Sequence, residues 1–191
     1  NKLDNSFEYI LFYGRLDDKV KNISLLIDAY AASNLPNTNI KLLILGSGPD
    51  EVYLKSKVDK LNLNLFVLFK SFNNKPFNYV INALFTILTS RYEGFPRTLI
   101  ESLSVGTPVV SVNCNSGPSE IIIQRENGLL VDNHNPELLT SAINELTFNK
   151  ELYLKCKRNA INAFEDLNIV DMCFTKVSRT LIILSYRLCF T

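Results

Sequence analysis

Six short runs in this chain are apolar at nearly every position, and longer amphipathic stretches separate them. The runs are residues 9–13 (YILFY), 40–45 (IKLLIL), 65–69 (LFVLF), 84–88 (LFTIL), 108–112 (PVVSV) and 128–131 (GLLV). A strand with one wet face alternates apolar and polar residues. A strand covered on both faces does not, and the usual setting for it is a parallel sheet with helices on each side. The stretches between the runs have helical spacing. In residues 22–32, Ile23, Leu26, Ile27 and Tyr30 fall on one face. Further helices are predicted over residues 50–61, 75–82, 96–105, 136–146, 150–164 and 169–184, with Pro76 and Pro96 each suited to a first helical position. Strand and helix alternating in this way predict an α/β fold, a Rossmann-like doubly wound parallel sheet of about six strands with helices on both faces.

Composition removes several functions. The 191 residues suit one compact domain, and no repeat or low-complexity linker divides them. Lys+Arg is 20 against Asp+Glu 19, so the basic excess typical of nucleic-acid binders is missing and no nucleic-acid partner is expected. His134 is the single histidine, too little for a His-rich metal site or a Ser-His-Asp triad within the chain. Cys114, Cys156, Cys173 and Cys189 form no C-x-x-C pair and read as reduced thiols of a cytoplasmic protein. No signal peptide opens the chain. The apolar run LIILSYRLCF contains Arg187 and falls short of the ~20 residues of a membrane span. The chain opens at Asn1 and its single methionine is Met172, so it is read as a piece of something longer.

Ligands of an open parallel sheet bind outside the C-terminal strand ends, near the point where strand order reverses. The loops there carry the chemistry. GRLDDKVKN (14–22) offers Arg15 as a fork of donors and Lys21 as a point charge, a pairing suited to a diphosphate. It is equally a solvated loop balanced by Asp17 and Asp18. GSGPD (46–50) lacks the third glycine of a dinucleotide fingerprint and reads as a turn and helix start. YEGFPRTLIE (92–101) is the most informative. Gly94 permits close backbone approach or a positive φ, and Pro96 would leave the amides of Arg97 and Thr98 facing out of a helix end, where an anion binds. Glu93 and Glu101 beside a diphosphate would make sense as acceptors from sugar hydroxyls, although two arbitrary glutamates are usually surface residues. In NCNSGPSE (113–120), Glu120 could cap a helix, bridge loops or line the site.

These loops together resemble a family. Glu93 and Glu101 form an E-x7-E motif in EGFPRTLIE, followed by SVGTPVVS. With GRLDDKVKN, LILGSGP, SGPSEII and NGLLV, the chain resembles the C-terminal, donor-binding domain of retaining glycosyltransferases of the GT-B fold, family 4 or "group 1". The resemblance covers residues 9–164 and implies one of two Rossmann-like halves. The other half, holding most of the acceptor site, would be absent, and residues 169–191 would run toward it. It implies that Gly14, Arg15 and Lys21 meet the donor diphosphate, that Glu101 bonds the ribose hydroxyls, and that Glu93 contacts the transferred sugar. Backbone amides around Phe95, Pro96, Arg97, Thr98 and Leu99, with Gly94, would contact sugar and phosphate, and the base would lie near Lys70, Ser71 and Phe72. Glu93, Arg15 and Lys21 would be the catalytic residues. Many members carry a single lysine five residues after the arginine. This loop has Lys19 and Lys21, and Lys21 is chosen because Asn22 follows it.

The implied donor is a nucleotide-diphospho-sugar, with UDP or GDP the expected carrier, and the implied acceptor a glycan or lipid-linked sugar. No metal or other cofactor is expected, because cationic side chains stand in for one. The full protein would be cytoplasmic, with peripheral contact at the inner membrane face left open. Alternatives are a nucleotide-sugar epimerase on a similar fold, a receiver-like domain and a non-catalytic nucleotide-binding domain. A receiver-like domain needs an aspartate where this chain has Lys70.

Overall fold

A computed structural model of the chain describes residues 7–72, 76–115, 117–132 and 134–166. Six strands form one sheet, β1 (Tyr9–Tyr13), β2 (Lys41–Leu45), β3 (Val67–Lys70), β4 (Thr86–Leu88), β5 (Val109–Asn113) and β6 (Gly128–Asp132). Their order is β3-β2-β1-β4-β5-β6, and every pairing is parallel. The helices are α1 (Asp18–Lys21), α2 (Ile23–Ala32), α3 (Glu51–Lys60), α4 (Phe77–Asn82), α5 (Arg97–Ser104), α6 (Pro118–Ile121), α7 (Pro136–Phe148) and α8 (Lys150–Asp166).

The unbroken apolar runs have the cause expected of them. All five residues of β1 are buried, and they divide between two cores. Ile10 and Phe12 join Leu26 and Ile27 of α2, Leu54 and Val58 of α3, and Leu139 and Ile143 of α7. Tyr9, Leu11 and Tyr13 face the other way, toward Val80 of α4. Leu99 and Leu103 of α5 and Ile121 of α6 cover the same sheet farther along, against Leu88 and Val109. Helix α8 reaches both layers, with Leu152 and Cys156 in the first core and Ala160 in the last.

The chain builds outward from β1 through β2 to β3, then returns to lay β4 on the opposite side of β1. That reversal puts the loops after β1 and β4 next to each other, which is where such sheets bind ligands.

Several expectations shift, among them the start of β4, at Thr86 and not at residue 84, and the place of Pro76, just before α4. Strand β3 starts at Val67, because Asn62 adopts a positive φ and the amides of Phe66 and Val67 both bond the Leu63 carbonyl, which folds residues 62–66 into a turn. Residues 18–21 form the short helix α1 where a loop was expected. Pro96 sits just before α5 as its cap, with ψ 73°, rather than as its first turn. The predicted helix over residues 169–184, the course of residues 169–191, Cys173, Cys189 and the Lys75 start of α4 lie outside the described residues. Cys114 and Cys156 are buried free thiols. Among the described residues, no helix is long and apolar enough to cross a membrane.

Candidate active site

The loop after β1 is held from two sides. On one side lies the β2–α3 turn. The Gly14 amide bonds the Leu45 carbonyl, the Leu16 amide bonds Ser47, and the Asp50 amide bonds Leu16. These bonds bring the backbones so close that a Cβ on Gly48 would stand 2.3 Å from the Leu16 oxygen, and one on Gly46 would stand 1.9 Å from that of Gly14. The GSG glycines therefore serve close packing of two loops. Asp50 adds a 2.7 Å acceptor for the Asp18 amide at the start of α1.

On the other side lies the loop after β4. Thr89 donates its hydroxyl to the Lys21 carbonyl, and the Arg91 amide bonds the Val20 carbonyl. The Arg91 guanidinium also bonds the side chain of Asn22, which is buried in a left-handed conformation between α1 and α2. Asp18 caps the far side of the turn by accepting from the amide and hydroxyl of Ser24. The lysine of this loop is thus fixed at its backbone by the neighbouring loop.

Its side chain meets the E-x7-E segment. Lys21 Nζ lies 2.6 Å from Glu93 Oε1, with the two side chains 24% and 11% exposed. Ser90 donates to the same oxygen at 2.5 Å. Ser90 is fully buried, and its carbonyl lies 3.1 Å from Nε2 of His134. Cys114 borders this group. Burial raises its thiol above the ordinary value, and the charge of Glu93 adds to the rise.

Glu101 sits on α5 in a separate cluster of polar groups. Tyr13, the last residue of β1, donates to the Thr98 carbonyl at 2.7 Å and lies 3.3 Å from Glu101 Oε2. Arg97 stands 3.6 Å from the other carboxylate oxygen. Burial raises the Glu101 carboxyl above the usual range, and Arg97 and Tyr13 pull it back only in part. Burial also lifts the Tyr13 phenol well above its ordinary value, with Glu101 contributing.

The structure brings Lys21 and Glu93 into contact and sets Glu101 on the helix that follows. Lys19 and Arg15 are exposed. Leu99 is buried. The Arg97 amide bonds the Phe95 carbonyl and the Leu99 amide bonds Pro96, so these two amides serve the turn itself and do not face outward as expected. Of the five positions from Phe95 to Leu99, the amides of Phe95 and Thr98 remain as candidates for an anion. Gly94 shows no positive φ, and a Cβ there would meet nothing within 4 Å. Gly117 has φ +98°, and its missing Cβ is what lets Pro96 pack against the loop after β5. That loop also pairs with the residue just before the EGFP segment, through a bridge between Tyr92 and Asn115. Glu120 is exposed on α6.

Lys70 ends β3, and Ser71 and Phe72 follow it on the rim, with Phe72 68% exposed. An open groove of about 530 Å³ runs beside this edge strand and takes in Lys55, Asp59, Phe69 and Lys70, but none of Lys21, Glu93 or Glu101. Sequence reading missed Tyr13, Ser90 and Arg91. Tyr13 carried a signal, since a phenol in a fully buried strand needs a partner. Arg91 carried none, because its partners Val20 and Asn22 lie about seventy residues away, and Ser90, three residues before Glu93, was passed over beside the glutamate.

Comparison with known proteins agrees with this architecture. The chain is 36% identical over 165 residues to the N-acetylgalactosamine-N,N'-diacetylbacillosaminyl-diphospho-undecaprenol 4-alpha-N-acetylgalactosaminyltransferase of Campylobacter jejuni, covering 85% of this chain and 44% of that protein. It is 33% identical over 156 residues to the amylovoran biosynthesis glycosyltransferase AmsD of Erwinia amylovora, covering 80% and 43%. It therefore spans less than half the length of these relatives. A crystal structure of a TarM variant of S. aureus, in complex with fondaparinux, alpha-GlcNAc-glycerol and UDP, superposes with a TM-score of 0.79 at 24% identity, covering 97% of this chain and 36% of that one. The six-stranded parallel sheet with its flanking helices matches one half of the GT-B fold. The profile of the family described as glycosyl transferases group 1 matches residues 1–163, and the chain belongs to that family.

Proposed function

We propose that this chain is the donor-binding half of a retaining glycosyltransferase of the E-x7-E type. It would take a sugar from a nucleotide-diphospho-sugar, UDP- or GDP-linked, for a glycan or lipid-linked acceptor in cell-surface polysaccharide synthesis. The observation that carries the reading is the meeting of the β1 loop and the E-x7-E segment at the reversal of the sheet, through Lys21 and Glu93. The relatives support the acceptor class, since one is named for a diphospho-undecaprenol acceptor and another for amylovoran biosynthesis.

In this reading the departing diphosphate gains negative charge as the sugar leaves. In the same reading Arg15, Lys21 and the start of α5 stabilise that charge. These cations do the work a metal does elsewhere, so chelation should leave nucleotide binding unchanged. Glu93 orients the transferred sugar, and Glu101 accepts from the ribose hydroxyls. The base rests near Lys70, Ser71 and Phe72. Acceptor binding, membrane contact at the cytoplasmic face and the transfer itself belong to the whole protein, of which residues 1–191 form the donor-binding domain.

Calorimetric titration of the chain with UDP, GDP and ADP, with and without EDTA, tests the reading. Glu101→Ala should weaken UDP binding and nearly remove the preference for UDP over its 2′,3′-dideoxy analogue. Contacts to ribose are the same in ground and transition states, so their loss shows in affinity. Equal preference for the two nucleotides in the unaltered chain would remove the ribose assignment.

A further inference from the structure

Lys21 and Glu93 are assigned opposite tasks, one on the leaving diphosphate and one on the sugar, yet here they hold each other. The ammonium lies 2.6 Å from Glu93 Oε1, and both side chains are mostly buried. The carboxylate does not depend on the lysine for its place, because Ser90 donates to the same oxygen from a fully buried position. The lysine backbone is equally fixed by Thr89 and Arg91. Two anchored groups of opposite charge thus share one short contact. A lysine reaching a diphosphate must stretch, share or break it.

Resting on the donor-site reading above, we propose that Glu93 is a competing counter-ion that lowers the affinity of this site for a free nucleoside diphosphate by occupying Lys21. Diphosphate binding is then an exchange of partners. The lysine moves from carboxylate to phosphate, and Ser90 keeps Glu93 in position once the lysine has left. A nucleotide-sugar compensates the exchange because its sugar gives the carboxylate hydroxyl donors in place of the ammonium, whereas the product nucleoside diphosphate brings an anion and no such donors. Glu93 in this way discriminates donor from product and favours product release. Broken charge pairs in partly buried sites cost enough to be read in affinity.

The experiment is a double-mutant cycle on the 191-residue chain, read as UDP affinity by calorimetry at low ionic strength. Glu93→Gln should tighten UDP binding about three- to tenfold, since it removes the competitor and keeps the shape. Glu93→Asp keeps the charge but draws the carboxylate back, and should tighten UDP by less. In a Lys21→Met background, Glu93→Gln should change UDP affinity within about twofold, because no lysine remains to be released. Unchanged or weaker UDP binding by Glu93→Gln and Glu93→Asp overturns the proposal while the donor site stands. An equal gain in both backgrounds also overturns it, since simple repulsion between carboxylate and phosphate would then account for everything. If the unaltered chain binds neither UDP nor GDP, the donor-site reading fails and takes the proposal with it; if it binds GDP alone, the same cycle is read with GDP. Thermal melts of each variant establish that the titrated protein is folded.

Discussion

Of the three cations of the β1 loop, the two assigned to the diphosphate differ in what they give up on binding. Arg15 is exposed, whereas Lys21 already has a carboxylate. Arg15→Ala should weaken UDP binding by about 1.5–3 kcal/mol, the range for hydrogen bonds to charged groups. Lys21→Ala should cost less, because the interaction it loses with phosphate is offset by a pair it no longer has to break. Lys19→Ala should change affinity little, and calorimetry on the three variants ranks them. Lys21 was set apart in the sequence by the helix that opens after it at Asn22, a residue that stands left-handed between α1 and α2. Its partner was not legible, because Glu93 lies 72 residues away and both residues had been assigned to a ligand. Glu101 shows a second residue-scale consequence. Burial raises its carboxyl above the unfolded value, so the folded state favours the protonated form. Its ionisation therefore destabilises the fold as pH rises from the unfolded pKa of about 4.3 through the raised folded value. Glu101→Gln should raise Tm by about 1–2 °C at pH 7, and the gap should close at pH 4. Melting curves at the two pH values decide this, and a variant less stable at pH 7 would mean that the Tyr13 and Arg97 contacts outweigh the burial.

Elements were easiest to read where burial alone decides them. The runs at 9–13 and 128–131 became β1 and β6 because strands packed on both faces must be apolar throughout. The run at 65–69 misled because Leu65 and Phe66 are apolar for another reason. Leu65 is 75% exposed in the turn leaving α3, and strand geometry begins only where Val67 pairs with Leu42. Pro96 misled in the same way. Its ring suits a first helical turn, but packing against Gly117 holds it outside α5. The glycines separate packing from ligand space. Gly48→Ala would drive a Cβ into the Leu16 backbone, which is tied by its own amide and carbonyl, and should destabilise the chain by about 1–3 kcal/mol. Because that backbone carries Arg15, UDP affinity should fall with it. Gly94→Ala meets no neighbouring atom and needs no positive φ, so stability should stay within about 0.5 kcal/mol. Any loss of UDP or UDP-sugar binding by Gly94→Ala then reports the ligand's own use of that space. Denaturant titration and calorimetry on both variants separate the two cases, and a Gly94→Ala chain as unstable as Gly48→Ala would show that the EGFP turn is a packing element after all.

At the scale of the whole molecule, Lys21 and Glu93 follow β1 and β4, the two strands at which the sheet reverses, and this chain covers 44% of the Campylobacter relative. Lys21, Glu93 and Glu101 line no part of the groove at the β3 edge. In the proposed reading, an acceptor and a water-excluding wall would have to be brought to the donor-side groups. Glycosyl transfer needs both, because the acceptor hydroxyl must be held at attack distance and water must be kept from the activated sugar. Nucleotide binding in that reading needs neither, since its contacts would come from the loops after β1, β3 and β4. Binding and transfer should accordingly separate in this chain. The 191-residue protein is expected to bind UDP and a UDP-sugar, to transfer no labelled sugar to glycan or lipid-linked acceptors, and to release at most a trace of free sugar by hydrolysis. Calorimetry measures the first, and chromatography of a radiolabelled UDP-sugar after incubation measures the other two. Transfer at a rate well above hydrolysis would place an acceptor site within residues 1–191 and would end the division of labour proposed for the two halves. Rapid hydrolysis without transfer would instead show that the rim activates the donor unaided, and that the wall serves only to choose which hydroxyl attacks.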